Sequence, residues 1–184
     1  MRIIAGEKRG RKLKTPKGDR IRPTEDRIKE SIFNVLFGPF SDVNALDLFA
    51  GTGGIGIEFL SRGAAMVWFC DKHPDSLRLI RENLNLTGYN SKSRVFEGSY
   101  EQCLSEAADR GMRFDYIYLD PPYAERAYYS EAIRAVVASD LLKEQGRLIL
   151  EAPREYEFED VTGLRLARLK KYGNKKIWIY ESCD

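Results

Sequence analysis

The sequence predicts an α/β protein, a mainly parallel sheet covered by helices on both faces, and three observations carry that expectation. From Val43 onward, short apolar runs alternate with amphipathic helical segments. The first run leads straight into a glycine turn, and the chain ends on two strand-like runs joined by a short link, as in an antiparallel hairpin. At 184 residues with 43% hydrophobic side chains, the chain can bury one substantial core and is short for two. The expected organisation is a basic arm or hairpin over residues 1–22 and one domain over 23–184.

Taken in order, the arm mixes Gly6, Gly10, Pro16 and Gly18 with basic residues and short apolar pieces. A helix follows, with Thr24 as its N-cap, Glu25 and Asp26 at the positive end of its dipole, and Ile28, Ile32, Val35 and Leu36 on one face. Gly38 and Pro39 stop it. Strands are expected over 43–49, 66–70, 93–96, 114–119 and 146–151, with helices over 55–61, 75–87, 100–108 and 129–138 between them. Runs 164–169 and 175–181 close the chain; in the second, Ile177, Ile179 and Glu181 alternate with Trp178 and Tyr180. A parallel sheet closed by such a hairpin fits the Rossmann-like, seven-stranded class I methyltransferase sheet.

Thirty basic residues nearly balance twenty-eight acidic ones, so the net charge of +2 implies no partner by itself, but its distribution does. Nine Lys or Arg fall in the first 22 residues against only Glu7 and Asp19, a cluster that attracts polyanions through counterion release. No apolar stretch approaches the ~20 residues that span a bilayer, and the N-terminus lacks a signal-peptide layout, so a cytoplasmic protein without a membrane partner is expected. Cys70, Cys103 and Cys183 are odd in number and widely spaced, which indicates neither a disulfide framework nor a zinc site. His73 is the single histidine, so no His-rich metal site is expected; it reads as a surface turn residue.

After the first strand the chain reads Asp47-Leu48-Phe49-Ala50-Gly51-Thr52-Gly53-Gly54-Ile55-Gly56, which contains G-x-G-x-x-G at Gly51, Gly53 and Gly56. Glycines there let the backbone turn tightly and approach a ligand. Asp71, twenty residues past Gly51, is placed to accept hydrogen bonds from ribose hydroxyls. NAD, FAD and S-adenosylmethionine folds share this pattern. Asp47 helps to separate them, because a dinucleotide fold usually has an apolar residue there, whereas a carboxylate favours the cationic end of S-adenosyl-L-methionine.

Asp120-Pro121-Pro122-Tyr123 ends the fourth expected strand, at the same sheet edge as the glycine loop. An exocyclic base amine is a poor nucleophile because its lone pair is delocalised into the ring. A carboxylate and a carbonyl accepting both amine hydrogens draw the nitrogen towards tetrahedral geometry and stabilise the charge that develops on attack; Asp120 and the Pro121 carbonyl suit those roles. Pro121 and Pro122 restrict the backbone, and Tyr123 offers a face for an extruded base.

These residues resemble the bacterial small-subunit ribosomal RNA guanine-N2 methyltransferases of the RsmD type. The resemblance also takes in Arg2-Ile3-Ile4-Ala5-Gly6, Arg9-Gly10-Arg11-Lys12-Leu13, Arg22-Pro23-Thr24 with Arg27, Glu30, Phe33 and Asn34, then Ser61-Arg62-Gly63-Ala64 and Asn83. It implies methyl transfer to N2 of one guanine in 16S rRNA, on RNA folded within an assembling small subunit. It implies a cofactor set of Thr24, Asp47, Phe49, Ala50, Gly51, Gly53, Gly56, Asp71, Lys72, Ser99, Tyr100 and Asp120, and phosphate contacts from Arg9, Arg11, Lys12, Arg22 and Arg27. Two departures stand out. The family often has Glu in place of Asp71, and an Asp or Asn near the adenine where this chain has Gly98-Ser99.

Three alternatives compete. A DNA adenine-N6 methyltransferase uses a similar D-P-P-Y site but commonly carries a separate target-recognition region, and 184 residues show no such insertion. A nicotinamide oxidoreductase leaves Asp47 and D-P-P-Y unexplained. A non-catalytic RNA-binding module accounts for the basic arm alone.

Overall fold

The computed structural model describes residues 1–16, 26–36, 38–122, 126–158 and 161–183. Helix α1 (Asp26–Leu36) forms where the apolar spacing predicts it; Ile28, Ile32, Phe33 and Leu36 are buried, and Asp26 stands in its first turn. There follow β1 (Asn44–Asp47), α2 (Gly54–Ser61), β2 (Met66–Asp71), α3 (Pro74–Thr87), a single 3₁₀ turn, β3 (Ser93–Glu97), α4 (Tyr100–Asp109) and β4 (Phe114–Leu119). Helix α5 (Arg126–Ala138) and strands β5 (Leu142–Pro153), β6 (Leu164–Tyr172) and β7 (Lys175–Ser182) complete the chain. Strand β1 is shorter than expected because the chain turns away at Leu48, whose N–H still reaches the Tyr118 carbonyl (3.0 Å).

The strands form one sheet in the order β3-β2-β1-β4-β5-β7-β6. All neighbours pair parallel except β5 with β7 and β6 with β7. The order reverses at β1, which lies between β2 and β4, and in open α/β sheets ligands bind beyond the carboxyl ends of strands at such a point. Apolar cores fill both faces. Residues of α1, α2 and α3 pack with Phe69, Tyr118, Ile149, Ile177 and Ile179 on one side; residues of α4 and α5 pack with Trp68, Ile117, Leu148, Trp178 and Tyr180 on the other.

Residues 1–13 do not extend as a free arm. Arg2 and Lys12 form an antiparallel bridge, and Ile3 and Leu13 are buried in the α1–α3 core. The anchor is Glu58 of α2, whose side chain is fully buried. Its oxygens accept the N–H groups of Ile4 (2.8 Å) and Ala5 (2.9 Å) and the Arg62 Nε–H (2.9 Å), and the Lys29 ammonium lies 3.6 Å away. Burial pulls the Lys29 pKa below its usual value, against the opposing attraction of Glu58 and Asp26. A second tie is Asn83 of α3, which accepts the Lys14 N–H (2.7 Å) and donates to the carbonyls of Lys14 (3.0 Å) and Thr52 (3.0 Å).

The closing hairpin corrects one reading. Lys170, Lys171, Lys175 and Lys176 look in sequence like a solvated edge that blunts strand pairing. Lys170 and Lys171 are exposed, but Lys175 and Lys176 are buried, ion-paired with Glu151 and Glu157 respectively. Strand β7 lies between two others with both faces covered, so its lysines need carboxylate partners. Among the described residues no helix is long and apolar enough to cross a membrane.

Candidate active site

The site is assembled at the carboxyl ends of β1, β2 and β4. From β1 the chain enters the glycine loop, turning through Gly51 (φ 55°) and Gly53 (φ 76°), a backbone region that side chains disfavour. The third glycine serves packing: a Cβ on Gly56 would sit 2.2 Å from the Phe69 ring, so α2 can lie against β2 only without one. Asp71 at the end of β2 holds the loop, accepting the Gly51 N–H (2.9 Å) and, through its other oxygen, the His73 N–H (2.9 Å). His73 itself is the exposed N-cap of α3.

Asp47 is buried at the end of β1 and accepts the Gly56 N–H at 3.0 Å. Burial raises its pKa from 3.8 to about 7, and the charges of Asp120 and Asp71 add to that effect against the Gly56 hydrogen bond. Among the described residues, none of the groups acting on it is a cation. Three carboxylates therefore converge at one rim, an arrangement suited to a cationic ligand.

Asp120 follows β4 directly and is half-buried; Pro121 is buried and Pro122 exposed. The Pro121 carbonyl accepts a hydrogen bond from the hydroxyl of Tyr129 (3.0 Å), a fully buried residue of α5. A carbonyl oxygen has two lone pairs, so this bond fixes its direction and leaves one acceptor site. Phe49, Tyr100 and Tyr128 pack together beside the loop, with ring centroids 5.3–5.7 Å apart, and burial pushes the Tyr100 hydroxyl up to about 12.

Ser99 caps α4. Its hydroxyl accepts the Gln102 N–H and its own N–H donates to Gln102 Oε1, while the Gly98 N–H donates to the Asp71 carbonyl. Both amides at the departure from the family pattern are thus engaged. Glu101 stands beside them; against its partial burial, hydrogen bonds from Ser99, its own backbone and Tyr100 and the charge of Lys72 hold its carboxyl below the ordinary value.

The structure thus brings Asp47, Phe49, Ala50, Gly51, Gly53, Gly56, Asp71, Lys72, Ser99, Tyr100, Asp120, Pro121 and Pro122 to one rim. Thr24, Arg22 and Tyr123 lie outside the described residues. The basic candidates are scattered. Arg27 is exposed in the first turn of α1 and Lys12 is exposed beside Arg2. The hairpin tip carrying Arg9 sits at the carboxyl end of α2, where the Glu7 N–H meets the Ser61 carbonyl (2.7 Å), and Arg11 reaches the Leu86 carbonyl near the end of α3. Both helices start at the acidic rim, so Arg9 and Arg11 lie at the opposite one. Sequence reasoning missed Tyr128, Tyr129 and Glu101; only the helical aromatic pair after D-P-P-Y hinted at the first two.

A sheet of this order, closed by its antiparallel hairpin, is the class I methyltransferase fold; the solved structure of yhhF from Escherichia coli superposes with a TM-score of 0.85 at 28% identity, covering 99% of this chain and 97% of that one. YlbH of Bacillus subtilis is 37% identical over 182 residues, 98% of each chain. The ribosomal RNA small subunit methyltransferase D of Escherichia coli K12 is 36% identical over 165 residues, 89% of this chain and 77% of that one. Residues 1–181 match the family described as conserved hypothetical protein 95, and the chain belongs to it, the RsmD-type methyltransferases.

Proposed function

We propose that this methyltransferase uses S-adenosyl-L-methionine to methylate the exocyclic N2 amine of a guanine in 16S rRNA, on RNA within an assembling small subunit. The observation that carries the reading is the convergence of Asp47, Asp71 and Asp120 at one rim, with no cation among the described groups acting on Asp47. The cofactor, when bound, supplies an electrophilic methyl on a cationic sulfur. Asp47 then faces its positive end, and Asp71 offers acceptor lone pairs to the ribose. Glu101 supplies near the adenine the carboxylate that Gly98-Ser99 lacks, and Phe49, Tyr100 and Tyr128 provide apolar surface. Asp120 and the Pro121 carbonyl take the two hydrogens of the target amine.

Two measurements examine these roles. Asp47 is largely protonated below pH 7 in the free protein, and a bound cation favours its ionised form. Cofactor affinity therefore rises as pH climbs through about 7, with proton release on binding. Without ligand the sign reverses: the folded pKa lies above the unfolded one, so Asp47's contribution to stability is lost as pH rises from about 4 through about 7. Calorimetric titration between pH 6 and 8 should show the trend in wild type and a flat profile for Asp47→Asn; identical slopes would refute the role. Tyr129→Phe removes the bond that aims the Pro121 carbonyl. We expect kcat to fall about tenfold with cofactor affinity unchanged, the scale of one buried hydrogen bond; loss of cofactor affinity instead would make Tyr129 a structural residue only.

The substrate is tested with small subunits from cells lacking this protein, labelled cofactor and mapping of the methylated nucleotide. Label on an adenine, or on DNA in preference to RNA, would overturn the assignment.

A further inference from the structure

A basic groove runs along the face of the sheet that α1 covers. Residues paired across antiparallel strands share a face, so Arg165 opposite Glu181, Arg168 opposite Ile179 and Lys170 opposite Ile177 all lie on the side of Ile177 and Ile179, whose core includes α1. Arg165 and Arg168 are three residues apart, a spacing that normally puts them on opposite faces. The register shift between Leu166 and Arg168 brings them to the same one.

Between this row and α1 lies a cavity of about 300 Å³ lined by Val35, Leu36, Arg147, Arg168, Ile179 and Glu181, with Arg165 beside them. Glu181 is the acid of this lining and is already held by Arg147 (2.9 Å) and Arg165 (2.6 Å), so the walls keep an excess of positive charge. Ser31 and Arg27 continue the stripe of Val35 towards the start of α1, one and two turns away. At its upper end the groove meets the acidic rim. Lys170 pairs with Ile177, and Ile177 with Glu151; the residue before Glu151, Leu150, pairs with Leu119, which precedes Asp120. Three strand spacings separate Lys170 from Asp120, about 14 Å.

We propose that this groove carries the sugar–phosphate backbone of the strand that presents the target base, with Arg168 and Lys170 as phosphate contacts and Arg27 facing them across it. The inference rests on the RNA methyltransferase reading above. It favours a nucleic acid over an acidic protein because the cations form a line about 17 Å long, Arg165 to Lys170, that leads to the catalytic carboxylate. The hairpin tip, at the opposite rim, plays the smaller part.

The test compares wild type, Arg168→Glu/Lys170→Glu, Arg168→Gln/Lys170→Gln and Arg9→Glu/Arg11→Glu, all full-length and checked by thermal melting. The probes are small subunits, and 16S rRNA extracted from them, from cells lacking the protein. The groove variants should bind RNA at least about tenfold more weakly near 0.1 M salt, with a salt slope lower by roughly 2 and unchanged cofactor affinity. The tip variant should stay within about threefold of wild type. If wild type methylates RNA while the groove variants bind it normally with an unchanged slope, the groove assignment falls and the methyltransferase reading stands. If wild type methylates neither RNA, both fall.

Discussion

Asp120→Asn should reduce methyl transfer on the order of 10³-fold, while cofactor affinity stays within about threefold of wild type. The amide keeps the shape of the side chain but no longer presents two anionic acceptor oxygens to an amine that becomes positive as it attacks. A second readout distinguishes this from general damage. The Asp120 charge is one of the groups that raise the Asp47 pKa, so removing it should move the midpoint of pH-dependent cofactor binding downward. Single-turnover transfer with labelled cofactor measures the first effect and calorimetry across pH the second. Near-normal transfer by Asp120→Asn would remove the carboxylate from the mechanism.

Glu58→Ala should be the most destabilising single change at a site remote from the chemistry. It strips four partners at once: two backbone N–H groups of the hairpin, the Arg62 guanidinium and the Lys29 ammonium, whose side chain is as fully buried as that of Glu58. Leaving a buried cation uncompensated typically costs about 3–5 kcal/mol, which for a domain of this size lowers the melting temperature by roughly 10 °C. Glu58→Gln/Lys29→Met, which removes both charges and keeps the volumes, should recover much of the loss. A Glu58→Ala melt within about 1 kcal/mol of wild type would show that the hairpin is held without Glu58, by the burial of Ile3 and Leu13 and the ties to Ser61 and Asn83.

Much of this architecture was legible because its signals are local. Strand β4 spans 114–119 as its apolar run implies, and α1 through α4 fall within a residue or two of their periodic faces. The glycine loop and the D-P-P-Y tetrapeptide each announce a site within ten residues, and the alternation of strand and helix places both at the same edge. What escaped notice depends on partners distant in sequence. Nothing local marks Glu58 as an anchor, because the groups that use it, the N–H of Ile4 and of Ala5, lie 54 and 53 residues away. Lys175 and Lys176 read as edge charges because nothing local reveals that β7 is an inner strand. The groove beside α1 depends on a one-residue bulge in β6, which alternation alone cannot place. Conversely, the basic residues of the first 22 read as one cluster, but the hairpin carries Arg9 and Arg11 away from the rim that holds Asp47, Asp71 and Asp120.

The docking of that hairpin also sets an order of events during synthesis. Its own bridge spans ten residues and its nearer partners are Asp26 and Lys29, but Thr52, Glu58, Ser61 and Asn83, on which it also docks, are translated at least fifty residues after it begins. The hairpin is therefore among the later segments to be seated, and its five basic residues, Arg2, Lys8, Arg9, Arg11 and Lys12, stay undocked beside a negatively charged particle until α2 and α3 have formed. We expect Glu58→Ala to speed unfolding more than it slows refolding, as for any contact made after the folding barrier; a refolding rate lowered by the full loss of stability would show that the hairpin docks earlier.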